Sequence, residues 1–498
     1  MISKGAWIMK KAFSVLASLL LVLGLVLASC NGDEDKDNSD VLSTESTLTE
    51  WKYDPNIPEG FDGGGDFVFL VVGGDDEAYH SVEIGAEELN NELINDAVYT
   101  RNKFVEEKLN INIVCEYDMD VPTRASTAIG SSLDVYDVIM PFMNDAPALA
   151  LNDYIVPLND IETLQLEREW WDQRANEQLS IGHKLFFTTG DISMLDNDCT
   201  QGIMFNIDLI GMYDLANPYD LVKQGTWTID ELHTMARAAT QDNASEYTDS
   251  WGFHINGNGA TGLYISSGHN LIAKDEETDL PYVAVDSVGA ADAVERIRQL
   301  MTDKSFVIII EDYNAAAQND GFVNCYRAAA WAIAEGKALF RYMSMSDTLR
   351  LAEYKSCNYG ILPSPKLDAG QDGYASLVST LAVPGVCVPS TNDDYDRIGI
   401  VLDAMAAKAK EVITHAYYDT LYQYRVAQDD ESQEILDIIF NERTYDLGVV
   451  FNWGDCRAMV NNSAISSASA TWSSTVDSML PAIEAAMQDT IDGFNRLG

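Results

Sequence analysis

The chain has 498 residues, with 79 acidic side chains against 31 basic ones and a formal net charge of -48. A field of that sign repels nucleic acid and anionic lipid, leaves neutral or cationic ligands, and suits solubility outside a cell. Hydrophobic content of 47% and aromatic content of 10% allow a large core, but the chain is too long for one compact core and points to two lobes.

Lys10 and Lys11 precede an uncharged run rich in Leu, Val and Ala from Ala12 to Ala28, the pattern of a signal peptide. It closes on Leu27-Ala28-Ser29-Cys30. A membrane-spanning anchor is the competing reading, since the run is at the lower edge of what crosses a bilayer. The acidic stretch that follows Cys30 gives a stop-transfer helix no reason to end there. Residues 30–65, acidic at first and ending in Asp62-Gly63-Gly64-Gly65, read as a flexible tether.

Order is expected from Phe67 to Val72, a continuous apolar run bounded by Gly73-Gly74 that fits a strand buried on both faces of a parallel sheet. Helical spacing over 87–109, then strands over 111–117 and 135–140, follow the βαβ logic of a doubly wound domain. The chain is expected to leave this first lobe between Gly182 and Phe205. Thr228 and Glu231 have capping-box spacing for a helix through Ala239, with Trp227 packed at its start. Further on come a strand at 251–255, helices at 290–301 and 328–336, and a helix end running into a strand across 335–342. A strand at 358–362 closed by Pro363 and Pro365 is next. A strand at 381–383, an amphipathic helix at 398–410 and an interrupted helical tail complete the chain, with a polar loop at 451–455.

Gly257 to Gly262 matches GxGxxG, but a dinucleotide site wants that motif after the first strand of a βαβ unit. Asp368 to Gly373 begins like a calcium loop, yet its twelfth position is Ser379 and not glutamate. The six histidines have no paired spacing, and there is no GxSxG. Six cysteines beyond Cys30 are widely spaced without CxxC and fit no disulfide framework. No catalytic residue, metal or cofactor is expected.

Leu27-Ala28-Ser29-Cys30 resembles the lipobox of bacterial lipoproteins, which implies removal of residues 1–29 and diacylation of Cys30. Several other stretches follow in order: Gly73-Gly74-Asp75, Tyr136-Asp137-Val138-Ile139, Gly225 to Leu232, Gly336-Lys337-Ala338, Tyr359 to Pro363, and the tail around Tyr417-Tyr418 and Tyr445-Asp446-Leu447-Gly448. With them, the chain is similar to the extracellular solute-binding proteins of ABC importers, in the large carbohydrate-binding family. The resemblance implies an α/β, two-lobed periplasmic-binding-protein-like fold (type II), each lobe a mostly parallel sheet flanked by helices. Lobe 1 would hold 66–190 plus 359–410 and lobe 2 would hold 191–358 plus 411–498, with hinge crossings near 190–193, 359 and 409–413.

The resemblance further implies a monomeric, lipid-anchored binder, not an enzyme. It would capture a carbohydrate, most simply an oligosaccharide, in the cleft between lobes and deliver it to ABC transporter permease subunits at the extracellular face of the membrane. A secreted glycoside hydrolase, or a receptor for a peptide or other non-sugar solute, are the competing readings. Sugars offer hydroxyls at the ring edge and C–H groups on the faces, so a site needs polar side chains in the plane and aromatic plates above and below. Aligned with the family, Asp75, Asn144, Asp145 and Asp191 would supply polar contacts, and Trp251, Tyr342 and Trp453 the plates.

Overall fold

The computed structural model describes residues 50–73, 81–241, 244–285, 287–351, 354, 357–423, 430–465 and 471–497. The signal run, Cys30, most of the tether and Asp75 lie outside the described residues. The strands are β1 (Asp66–Val72), β2 (Asn112–Asp118), β3 (Val138–Met140), β4 (Gln201–Asn206), β5 (Trp251–Ile255), β6 (Ile272–Lys274), β7 (Pro281–Val283), β8 (Val307–Ile309), β9 (Ala338–Ser344), β10 (Tyr359–Pro363), β11 (Ser376–Leu377) and β12 (Arg443–Thr444). No helix of the described residues is long and apolar enough to cross a membrane.

The first sheet runs β2-β1-β3, all parallel, with Leu70 opposite both Glu116 and Ile139. Side chains alternate across it as strand geometry requires. Phe67, Phe69 and Val71 join a core with Phe104, Val401, Leu402 and Met405, while Leu70 and Val72 pack with Val121, Ala125 and Ile129 on the other face. The strand is therefore buried on both sides, as its unbroken apolar run predicts. The second sheet runs β10-β4-β9-β5-β8, with β5 parallel to β8 and β9 and with β4 antiparallel to both its neighbours. Helices flank both sheets, which gives the expected mixed α/β architecture.

Several boundaries shift for identifiable reasons. The first helix is Leu93–Leu109: Asn91 takes a left-handed turn (φ 68) and the Asn90 N–H is held by Asp96 at 2.9 Å, so residues 87–92 cannot join it. The fold begins before the end of the expected tether, because Trp51 packs edge-on against Phe104 at 4.7 Å and Tyr53, Ile57 and Phe61 cover the same core. The helix expected over 398–410 extends to Tyr395–Gln423 without interruption, so the crossing near 409–413 falls inside one rigid rod. No strand forms at 381–383, where Leu381 is half exposed.

At 359, where a return to the first lobe is expected, the chain pairs within the second sheet. β10 lies antiparallel to β4 at the edge of the second sheet, where Pro363 needs no ladder donor. Contact with the first sheet's surroundings comes later, where Pro384 bridges Phe142, Val386 bridges Thr188, Cys387 bridges Ile139 and Pro389 bridges Ile155.

Within the long helix, the buried Asp403 carboxylate accepts both the Trp170 and Trp171 indole N–H groups, each at 2.8 Å, and the Gln165 backbone N–H at 2.8 Å. Those donors satisfy a charge that would otherwise be costly to bury. Thr228 caps the helix Ile229–Ala238 through the Glu231 N–H, and Trp227 is fully buried with its indole donating to the Pro363 carbonyl at 2.9 Å.

The GxGxxG stretch serves packing. It opens the helix Gly259–Ser266, and a Cβ on Gly262 would overlap the Tyr342 hydroxyl and Gln201 Oε1, while one on Gly257 would meet open space. Gly262→Ala is expected to lower stability by roughly 1–3 kcal/mol through overpacking. Gly257→Ala should stay within about 0.5 kcal/mol. Urea unfolding of the two variants checks this contrast, and equal effects would remove the packing explanation.

Candidate ligand-binding site

Besides a cavity of about 530 Å³ between Asp118 and Tyr136 and one of about 300 Å³ beside His233, two cavities of about 320 Å³ each are large enough for a small solute and share no lining residue. The first surrounds Asp191, at the segment that follows Gly190. Its charged groups are paired with one another, although the Arg443 Nε is left without a partner. Asp191 accepts from Thr414 Oγ1 at 2.5 Å and Lys410 Nζ at 3.3 Å. Arg443 contacts Asp196 at 2.9 Å and Asp172 at 3.3 Å, and Arg174 contacts Glu442 at 2.6 Å. Burial pushes Asp191 up and Lys410 pulls it back. Burial alone would lower Arg443, but Asp196, Tyr445 and Asp172 outweigh it and hold the guanidinium charged.

The second cavity is built at one end of the larger sheet. Gln201 opens β4; Asn258 and Thr261 stand at the start of the helix Gly259–Ser266; Leu377, Ser379 and Leu381 come from β11 and the segment after it. Val449 and, beyond it, Asp455, Arg457, Ala458, Asn461 and Asn462 close the other side. Here the polar groups are only partly matched. The Tyr342 hydroxyl donates to Gln201 Oε1 at 2.7 Å, and the Gln201 amide nitrogen makes no hydrogen bond among the described residues. Asn461 Oδ1 accepts from Thr261 N and Oγ1 at 3.1 and 3.0 Å, and its Nδ2 donates to Asn258 Oδ1 at 3.3 Å. Among the described residues, the Asn462 side chain and the Arg457 guanidinium make no hydrogen bond or ion pair. A ligand gains most from groups not already satisfied; this cavity offers the Gln201 and Asn462 amides and the Arg457 guanidinium, whereas in the first the ion pairs leave the buried Arg443 Nε unpaired.

No protein-family model matches the chain, and no curated protein matches it. Solved structures do. An ABC transporter solute-binding protein from Thermotoga lettingae bound with α-D-tagatose aligns with a TM-score of 0.53 at 13% identity, covering 86% of this chain and 100% of that one. Maltose-binding periplasmic protein MalE from Listeria monocytogenes in complex with maltose gives 0.53 at 15% identity, over 85% of this chain and 98% of that one. A cyclo/maltodextrin-binding protein complexed with maltotetraose gives 0.50 at 12% identity, over 88% and 98%. The chain has the fold of the ABC-transporter solute-binding proteins. At these identities the likeness extends to the fold and not to the ligand.

In this solute-binding fold the expected contact residues take other places. Trp453 is 5% exposed; its indole donates to Thr490 Oγ1 at 2.8 Å and its ring stacks on Phe451 at 4.5 Å. Trp251 is 4% exposed in a core with Tyr247 and Ile308, donating to the Glu246 carbonyl at 2.9 Å. Tyr342 is 2% exposed and stands one layer behind the second cavity, where it orients Gln201. None of the three presents a ring face to a ligand, because each was drawn into a core and its polar handle was satisfied there. Asn144 donates to the Val449 and Val450 carbonyls at 3.0 and 2.9 Å, joining the loop after β3 to the helix that carries Val449. Asp145 precedes the helix Ala146–Leu151 without capping it, and is raised by burial and by Asp120. Gln201, Asn258, Asn461 and Arg457, which line the second cavity, were not among the expected contacts; Asn461-Asn462 on the expected helical tail was the available signal.

Among the described residues, no cluster of His, Cys, Asp and Glu could hold a metal ion, and the six cysteines are unpaired.

Glu83 links the stretch after β1 to Ser193, which precedes the helix Leu195–Cys199. The Ser193 hydroxyl donates to its Oε1 at 3.0 Å, while Oε2 has no partner. Burial pushes this carboxyl up to about 7, against the opposing pull of a backbone N–H and Ser193. An unfolded glutamate titrates near 4.5, so between that value and about 7 the folded protein holds a proton that the unfolded chain lacks. This group's contribution therefore makes stability fall as pH rises through that window. Glu83→Gln should raise stability at pH 8 by roughly 1–3 kcal/mol and flatten the change between pH 5 and pH 8. Thermal unfolding of both proteins across that range reads the difference.

Proposed function

We propose that this protein is an extracellular receptor that captures a carbohydrate in the Gln201–Asn461 cavity and delivers it to an ABC transporter permease. It would be tethered to the membrane through a lipid on Cys30. The observation that carries the reading is a cavity at the sheet end in which the Gln201 amide nitrogen, the Asn462 side chain, the Ser379 hydroxyl and the Arg457 guanidinium lack partners among the described residues. Such groups match the alternating donors and acceptors of sugar hydroxyls. Open α/β sheets bind ligands in crevices at strand ends on general grounds. That the tagatose-, maltose- and maltotetraose-bound proteins share this fold supports a sugar over a peptide.

Two further features support a binder over a glycoside hydrolase. Hydrolysis of a glycosidic bond calls for two carboxyl groups flanking it, and Asp455 is the one carboxylate lining the cavity among the described residues. β4 and the segment through Ser379 border the cavity and are the parts that would carry a hinge. Ligand touching both sides would favour a closed state by its differential affinity, and the closed state would be what the permease recognises.

A thermal-shift screen of the protein against mono- and oligosaccharides should find a concentration-dependent rise in unfolding temperature for at least one sugar, with the sugar recovered intact. Asn461→Ala and Gln201→Ala should abolish the rise, and Asp191→Ala, in the other cavity, should retain it. Loss only with Asp191→Ala would move the site to the first cavity. A shortened sugar would identify a hydrolase instead.

A further inference from the structure

Arg457 bears on which carbohydrate fits, given the reading of this cavity as the solute site. Its backbone N–H is held by Asn452 Oδ1 at 3.1 Å, but its half-buried guanidinium makes no hydrogen bond or ion pair among the described residues. That is notable in a chain with 79 acidic and 31 basic side chains, where a cation can readily find a carboxylate. Several partly or fully buried cations have done so, Arg443 with Asp172 and Asp196, Arg341 with Asp347, Arg397 with Asp137 and Lys410 with Asp191, while the buried Arg101 and Lys366 donate to carbonyl oxygens instead.

We propose that the solute carries a carboxylate that pairs with Arg457, so that the ligand is an acidic sugar such as a uronic acid or an oligosaccharide containing one. Three features of the cavity agree. The helices Gly259–Ser266 and Cys456–Ile465 both begin at its wall, and their amino ends favour negative charge. Asp455, the other charged lining residue, is solvent-exposed, accepts from Asn452 Nδ2 at 3.1 Å and forms no ion pair with Arg457. A guanidinium also matches a carboxylate with two parallel N–H donors, which a hydroxyl cannot reciprocate.

The net charge of -48 opposes polyanions approaching from outside, but that field is screened over about 8 Å at physiological salt. A single carboxylate inside the cavity meets the guanidinium at contact distance.

The test uses the whole protein and a panel in which each uronate is paired with its neutral counterpart: glucuronate with glucose, galacturonate with galactose, and the corresponding di- and trisaccharides. Calorimetric titration should find the tightest ligand among the uronates, at least about 10-fold tighter than its neutral partner. Arg457→Gln should weaken that ligand about 10- to 100-fold and bring the pair to near equality. The unliganded unfolding temperature should stay unchanged. If the tightest ligand is neutral and Arg457→Gln leaves it unaffected, the acidic-sugar inference is overturned while the carbohydrate reading stands. If no sugar binds, both fall.

Discussion

Arg443 holds two carboxylates, Asp172 and Asp196, that would otherwise be buried without a counter-charge. Asp172 caps the helix Gln173–Leu179 and also accepts from the Tyr445 hydroxyl at 2.9 Å; Asp196 lies in the helix Leu195–Cys199; Arg443 itself is in β12, far along the chain. One guanidinium thus pins three remote segments together. Removing one partner of such a set leaves an uncompensated buried charge, which costs several kcal/mol. The pairing also fixes the course of the chain beyond Arg443, because β12 runs beside β11 and leads directly into the helices Leu447–Phe451 and Cys456–Ile465 that wall the candidate site.

Scarce positive charge shapes the rest of the interior. With so few cations, several buried carboxylates rely on neutral donors: Asp403 on two indoles and an amide, Asp446 on the N–H groups of Leu271 and Gly448, and Asp198 on the Tyr417 hydroxyl. Such networks need every member in place, since a half-satisfied buried carboxylate costs more than an apolar substitute. The same accounting separates the two cavities. In one, charges neutralise each other and hold the surrounding segments together; in the other, amides and a guanidinium are left facing the space.

Local signals in the chain were reliable where one segment carried its own reason. The apolar run of β1, the Thr228 cap, the strand Trp251–Ile255 and the buried Trp227 follow from spacing and side-chain chemistry alone. The surroundings of the expected aromatic plates were not legible for the opposite reason. Whether Trp453 faces a ligand or Thr490 depends on a helix from another part of the chain, and a Gly-containing polar loop reads the same either way. The strand Tyr359–Pro363 was legible as a strand, but its partner β4 was not, since pairing joins residues more than a hundred positions apart.

Composition, charge and periodicity were enough to determine an acidic α/β chain, and the resemblance carried by the order of its segments implied the solute-binding architecture, because those properties sum over many residues and tolerate local error. The tertiary structure alone decided which carboxylates are neutralised internally and which polar groups still face open space. Hydrogen-bond satisfaction depends on distances of a few ångströms between segments remote in the chain, and neither composition nor periodicity encodes that distance.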